Sequence, residues 1–145
     1  MTVQENLELA AYSRKDKKKI ARDIEAMYER FPVLKGKRKE KSENMSGGEQ
    51  QMLVIAMALM TKPKLILMDE PSQGLAPILV NDVADIIIEL NKQDGLTIVV
   101  VEHNLRLGLS IADRIYVLEN GKIAFKANSD DMSGVEYAKK IYLGG

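Results

Sequence analysis

The run Leu65-Ile66-Leu67-Met68-Asp69-Glu70 constrains this chain more than any other stretch of it. Four consecutive apolar residues with no polar partner face predict a β-strand buried on both sides, inside a parallel sheet packed between helices. Two carboxylates follow at once, so they stand just past the C-terminal edge of that strand, where open α/β sheets bind their ligands. Mg²⁺ keeps several of its waters, so Asp69 can support this ion through one of them. Glu70 can orient and polarise an attacking water. A buried strand that ends in ordinary surface acids would read the same way, and six residues do not separate the two.

The surrounding pattern places this strand in an α/β arrangement. A helix is predicted over 78–91, a strongly β-branched strand over 97–101, a helix over 105–112 and a strand over 114–118. Asp94-Gly95 is a turn signal, and Asn120-Gly121 turns the chain into a further strand over 122–126. Residues 135–142 read as helical. Alternating strands and helices argue for a parallel sheet. The region before it reads as all helix. Val3, Leu7 and Ala10 recur at helical spacing, with Glu5 and Glu8 near the N-terminal end, where the helix dipole favours anions. Ile20, Ile24, Met27 and Tyr28 mark one face of a second helix over 16–29, which Phe31-Pro32 ends. Gly36 and the basic run at 37–41 read as an exposed loop. A third helix starts at Gly47 or Gly48 and runs to Met60. Two domains are therefore expected, a helical subdomain at 1–61 and a sheet-bearing part at 62–145.

Two further pieces carry chemistry. Ser46-Gly47-Gly48-Glu49 opens the apolar third helix, with Ser46 suited to an N-cap and Glu49 three residues on, the spacing of a capping box. The two glycines exceed what a cap needs and let backbone N–H groups approach an anion at the positive end of a helix. A well-capped core helix explains Ser46 and Glu49 equally well. His103, the one histidine of the chain, follows the 97–101 strand. From there an imidazole can donate to a phosphate oxygen, although lone histidines also serve as ordinary structural residues.

Composition excludes several classes. The chain has no Cys, so it has neither a disulfide scaffold nor a thiolate metal site, which suits a reducing compartment. With 5 Tyr, 2 Phe and no Trp, aliphatic residues and Met must fill the core. The start Met1-Thr2-Val3-Gln4-Glu5 has no basic stretch followed by an apolar one, so no secretory leader is expected. The longest apolar run, 52–60, is far short of the ~20 residues a membrane span needs. Formal charge is zero but uneven: residues 14–41 carry 12 Lys and Arg against 5 Asp and Glu. Such a segment can meet nucleic acid or anionic lipid. No aromatics are interleaved with these lysines, as a single-strand binding surface would require. A solvated helix and loop is the expectation, with no nucleic-acid partner.

In this order and spacing the three pieces resemble the ABC ATPase family. Met45-Ser46-Gly47-Gly48-Glu49 is similar to its signature motif, residues 65–70 to Walker B with the catalytic glutamate, and His103 to the switch histidine. Ser72-Gln73-Gly74-Leu75-Ala76 occupies the D-loop. The stretch at 70–77 and the opening at 2–7 look like the ATPase subunits of branched-chain amino-acid importers. The resemblance implies a P-loop NTPase-like α/β fold, here a helical signature subdomain plus the C-terminal part of a mainly parallel sheet. It implies that Ser46, Gly47, Gly48 and Glu49 face the ATP held by the opposite subunit of a head-to-tail dimer. It further implies that Asp69 supports Mg²⁺ and that Glu70 and His103 are catalytic. The implied setting is cytoplasmic, on the inner face of the cell membrane, with the helical subdomain against a transmembrane permease.

The departures are specific. Met45 and Glu49 stand where the family usually has Leu and Gln. Ala76 holds the D-loop aspartate position, which removes that side chain from cross-subunit signalling. Met52 and Met57 replace common arginines. No GxxxxGK[ST] phosphate loop occurs in the 145 residues. A nest of N–H groups, a lysine and an Mg²⁺-binding hydroxyl are missing with it. The expectation is a truncated importer ATPase subunit that neither binds nor hydrolyses ATP alone, since both ATP and Mg²⁺ need an N-terminal half. In the family the phosphate-loop strand lies between the strands near Ile98 and Tyr116, so its absence unpairs two strand edges. Rearrangement or self-association is the expected repair. The alternative is a stand-alone interaction module that supplies the signature motif to a partner ATPase. A nucleic-acid-acting ABC protein is a third reading, against which the stretch 72–77 argues.

Overall fold

The computed structural model describes residues 1–128, 130 and 131. The helix expected at 135–142 lies outside them. The described residues form two compact units, one of residues 1–66 and 74–79, the other of 67–73 and the described residues from 80 onward.

The first unit is helical. Helix α1 (Val3–Ala10) opens with a full capping box, Thr2 accepting from Glu5 N–H while the Glu5 carboxylate accepts from Thr2 N–H. Each orphan donor so satisfied steadies a helix too short to stand alone. Val3 and Leu7, one turn apart, are fully buried. The chain start is also stitched to the 38–42 segment, through Val3 N to Glu40 O at 3.0 Å and Gln4 N to Arg38 O at 3.1 Å. Helix α2 (Lys17–Arg30) buries Ile24 and Tyr28. Pro32 does end it, but at once begins a short helix α3 (Pro32–Gly36). Proline at the first helical position lacks only an N–H that would have no partner, and the expected loop follows α3 directly, from Lys37 instead of Gly36. Phe31 and Leu34 are buried on either side of this junction. Helix α4 (Gly47–Met60) packs against α1, α2 and α3. It buries Leu53, Ile55, Ala56 and Met60. Each large apolar side chain so buried contributes about 1.5–3 kcal/mol.

Arg14, only 9% exposed, ties the α1–α2 connection to the end of α4. It donates to Met60 O at 2.9 Å and to Asp16 at 2.7 and 2.9 Å, and pairs with Asp23. Lys62 reaches the same Asp23 at 2.9 Å. A helix C-terminus offers unpaired carbonyls, and a guanidinium with five donors meets one of them while balancing two carboxylates.

The second unit holds the strands. Strand β1 (Leu65–Asp69) begins in the first unit and ends in the second. Helix α5 (Pro77–Lys92) connects it to its hydrogen-bonded neighbour β2 (Thr97–Val101). Such a crossover is what a parallel pair demands. Helix α6 (Leu105–Ile111) follows, capped by the Asn104 side chain on Leu107 N–H at 3.1 Å. Strands β3 (Arg114–Glu119) and β4 (Lys122–Asn128) pair antiparallel in a second sheet, with Glu119 opposite Lys122. Asn120 and Gly121 between them have φ of 49° and 74°. This left-handed pair matches the twist of a two-residue hairpin.

The two-sided burial expected of β1 and β2 is not observed. Ile66 and Met68 are buried, but Leu67 is 73% exposed, and in β2 Val99 and Val101 are about half exposed. Within these residues the pair is covered on one face only. Strands β2 and β3 are not hydrogen-bonded neighbours; each belongs to a separate two-stranded sheet. Among the described residues no helix is long and apolar enough to cross a membrane.

Candidate functional site

In the helical unit, Ser46 caps α4. Its hydroxyl accepts from Glu49 N–H at 3.4 Å, and its N–H donates to Glu49 Oε2 at 2.9 Å. Lys37 donates to the same carboxylate at 3.0 Å. The Ser46 N–H, and after it Lys37, hold Glu49 below the usual carboxylate range. Glu49 thus shapes the turn. The box uses the N–H groups of Ser46 and Glu49, which leaves those of Gly47 and Gly48 as the first donors of the helix.

The two glycines have different reasons. A Cβ on Gly48 would stand 2.7 Å from Leu79 Cδ1, so a side chain there requires the Leu79 side chain to move, and packing within this unit favours glycine. A Cβ on Gly47 would meet Leu75 Cδ2 at 3.6 Å, an ordinary contact, and Gly47 is exposed. Only Gly47 is therefore left without a packing reason for lacking a side chain.

In the second unit, Asp69 ends β1 and is exposed. Glu70 follows with φ of 47°. Left-handed backbone is costly for a residue with a Cβ and concentrates where a side chain must be aimed. Its N–H donates to Val101 O at 2.8 Å, the last residue of β2. Its carboxylate Oε1 lies 2.6 Å from Nε2 of His103. The sheet thus brings Glu70 and His103 together, as expected of adjacent strand tips. Gln73 N–H closes a turn onto Glu70 O at 3.0 Å. Gly74 follows with φ of 73°, which favours glycine. Of the residues expected to form a D-loop, Ser72 and Gln73 fall in this unit, and Gly74, Leu75 and Ala76 in the helical one.

Glu102 was not singled out from the sequence. Its Oε1 accepts from Ser72 N–H at 2.9 Å and its Oε2 from Asn104 N–H at 3.0 Å. Burial pushes this carboxyl upward. Hydrogen bonds from Ser72, and from the N–H groups of Asn104 and His103, outweigh that and hold it below its ordinary value. The available signal was an acid at a strand end, directly before the histidine.

The donor set suits Mg²⁺ only in part-filled form. Among the described residues no group of three or more His, Asp or Glu is gathered for a metal. An Mg²⁺ ion held mainly by water and phosphate oxygens asks a protein for only one or two carboxylates, and Asp69 is one exposed carboxylate at this edge.

A family model described as ABC transporter matches residues 1–73. The chain is 43% identical over 145 residues to the high-affinity branched-chain amino acid transport ATP-binding protein BraG of Pseudomonas aeruginosa, covering 100% of this chain and 61% of that protein. It is 37% identical to the probable branched-chain amino acid transport ATP-binding protein LivF of Archaeoglobus fulgidus, covering 99% of this chain and again 61% of the relative. A solved ATP-binding cassette of an ABC transporter superposes with a TM-score of 0.79 at 30% identity, over 99% of this chain and 60% of that one. The chain thus spans about three-fifths of the length of these relatives. With the family match over half of its length, and the expected residues at the tips of β1 and β2, the chain belongs to the ABC transporter family.

Proposed function

We propose that this chain is the signature-bearing and Walker B-bearing portion of an ATP-hydrolysing importer subunit that serves branched-chain amino acids. The observation that carries the proposal is the 2.6 Å pairing of Glu70 and His103 beyond the strand tips. The cargo follows from the names of BraG and LivF, and from the similarity over the whole of this chain.

Mg²⁺ and ATP, when bound, supply the electrophilic phosphorus and the charge neutralisation. Asp69 would be the residue that supports Mg²⁺, in the way this ion takes a single carboxylate. Glu70, a carboxylate aimed by its left-handed backbone, orients the attacking water and accepts its proton. His103 donates a hydrogen bond to a phosphate oxygen and, between turnovers, keeps Glu70 in place. Ser46 and the N–H groups of Gly47 and Gly48 face the nucleotide of the opposite subunit in a head-to-tail dimer. Glu49 maintains that turn. Residues 1–61 form the subdomain that meets the permease, on the cytoplasmic face of the membrane, and residues 62–145 belong to the ATPase core.

The 145 residues hold no phosphate-binding loop. The chain by itself therefore neither grips nor turns over ATP, because that nest supplies most of the phosphate contacts. The test is a hydrolysis assay of the purified chain with Mg²⁺ and ATP, alone and mixed with an intact homologous subunit. No turnover alone is expected. Robust Mg²⁺-dependent turnover by the chain alone that disappears in Glu70→Gln would refute the reading. Raised ATP affinity of the intact subunit on mixing would favour the stand-alone module that lends its signature motif.

A further inference from the structure

We infer that Glu102 is a positioning residue whose single carboxylate locks together the two turns that carry Glu70 and His103. Its consequence for turnover rests on the ATPase reading above; the clamp itself does not.

The sheet ladder ends where the site begins. The backbone bond from Glu70 N–H to Val101 O ties the β1 tip to the β2 tip. Beyond it both segments leave the strands as turns, with no ladder to fix their spacing. Glu102 fills that gap from the β2 side. One oxygen takes the N–H of Ser72, two residues past Glu70; the other takes the N–H of Asn104, one residue past His103. Both oxygens are thus committed to backbone donors. The half-buried charge is compensated by those bonds, which is the condition for keeping a carboxylate there. Both the Glu70 and the His103 turns then move only if a charge-assisted bond breaks.

An amide cannot replace this group. Glutamine offers one acceptor oxygen and one NH₂ donor, so one of the two N–H groups would face another donor. Aspartate keeps both oxygens but is one methylene shorter. Glutamine can satisfy only one of the two N–H groups, aspartate falls short of spanning both, and each preserves most of the packing.

His103 is the one histidine of the chain, so its imidazole NMR signals are assigned without ambiguity. The experiment compares the 145-residue chain with its Glu102→Gln and Glu102→Asp variants by imidazole NMR and residue-resolved amide exchange. Expected are displaced His103 signals and exchange at Ser72 or Asn104 faster by roughly 10- to 100-fold, as loss of a charge-assisted bond implies. Amides of α1 and α4 should be unchanged. Unmoved imidazole signals, or a uniform acceleration in every element, would overturn the clamp and leave a merely structural acid. In the intact subunit, Glu102→Gln should lower kcat about tenfold with KM for ATP within about twofold. A raised KM at unchanged kcat would also overturn it. If Glu70→Gln leaves turnover of that subunit unchanged, the ATPase reading fails while the NMR result still decides the clamp.

Discussion

Oε1 of Glu70 and Nε2 of His103 lie 2.6 Å apart, so a side-chain bond joins the turn after β1 to the turn after β2. The pair comes from residues 33 positions apart in sequence, and only adjacent strands with a helical crossover bring them together. In the intact ATPase subunit, Glu70→Gln should cut steady-state turnover by about 10²–10⁴-fold, the usual worth of a positioned base. ATP binding should persist. Unchanged turnover would remove Glu70 from the proposed role.

Gly48 and Gly47 should respond differently to alanine. A Cβ on Gly48 reaches within 2.7 Å of the Leu79 side chain, so Gly48→Ala should destabilise by about 1 kcal/mol, the overpacking cost less the helix preference for alanine over glycine. Gly47→Ala introduces an ordinary 3.6 Å contact with Leu75 and should leave stability within about 0.5 kcal/mol. Urea unfolding of both variants tests this. In the assembled dimer Gly47→Ala should instead weaken ATP binding, because the side chain stands where backbone N–H groups would approach phosphate.

The Arg14 cluster predicts acid sensitivity. Hydrogen bonds from Arg14 hold Asp16 at about 2 against an ordinary 3.8. Asp23 is also lowered: Lys62 and Arg14 outweigh the upward push of burial. Depressed folded-state values give stability that is present above about pH 4 and lost as pH falls toward 2. Unfolding midpoints measured from pH 7 to pH 2 should therefore fall most steeply between pH 4 and 2. In Arg14→Met the midpoint should start lower at pH 7 and decline less over that window.

Tyr28 is 3% exposed, and its hydroxyl has no hydrogen-bond partner among the described residues. Burying a hydroxyl without a partner costs about 1–3 kcal/mol. Tyr28→Phe keeps the ring and its packing, so the variant should be more stable than the parent, by about 1 kcal/mol in urea or thermal unfolding. A loss of stability would mean that the hydroxyl is satisfied in solution.

Much of the fold was legible in the chain itself because its determinants are local. The 3.6-residue spacing of Val3 and Leu7, the Ser46–Glu49 box, the β-branched run at 97–101 and Asn120-Gly121 each settle their element within a few residues. Residue type and spacing also marked 46–49, 69–70 and 103 as candidate positions, and the structure brings Glu70 and His103 together. Pro32 was read correctly as a stop but not as the start of α3, because the same fixed φ serves both. The tertiary structure decided what depends on neighbours distant in sequence. Four apolar residues at 65–68 imply two buried faces only if something lies over each. Here Ile66 and Met68 found cover, while Leu65 and Leu67 did not. Gly48 is explained by Leu79, 31 residues on, and Glu102 by the N–H of Ser72, 30 residues back. Short-range geometry is written in periodicity and caps; which donor a carboxylate meets, and which face of a strand is covered, is set only when separate segments are brought together.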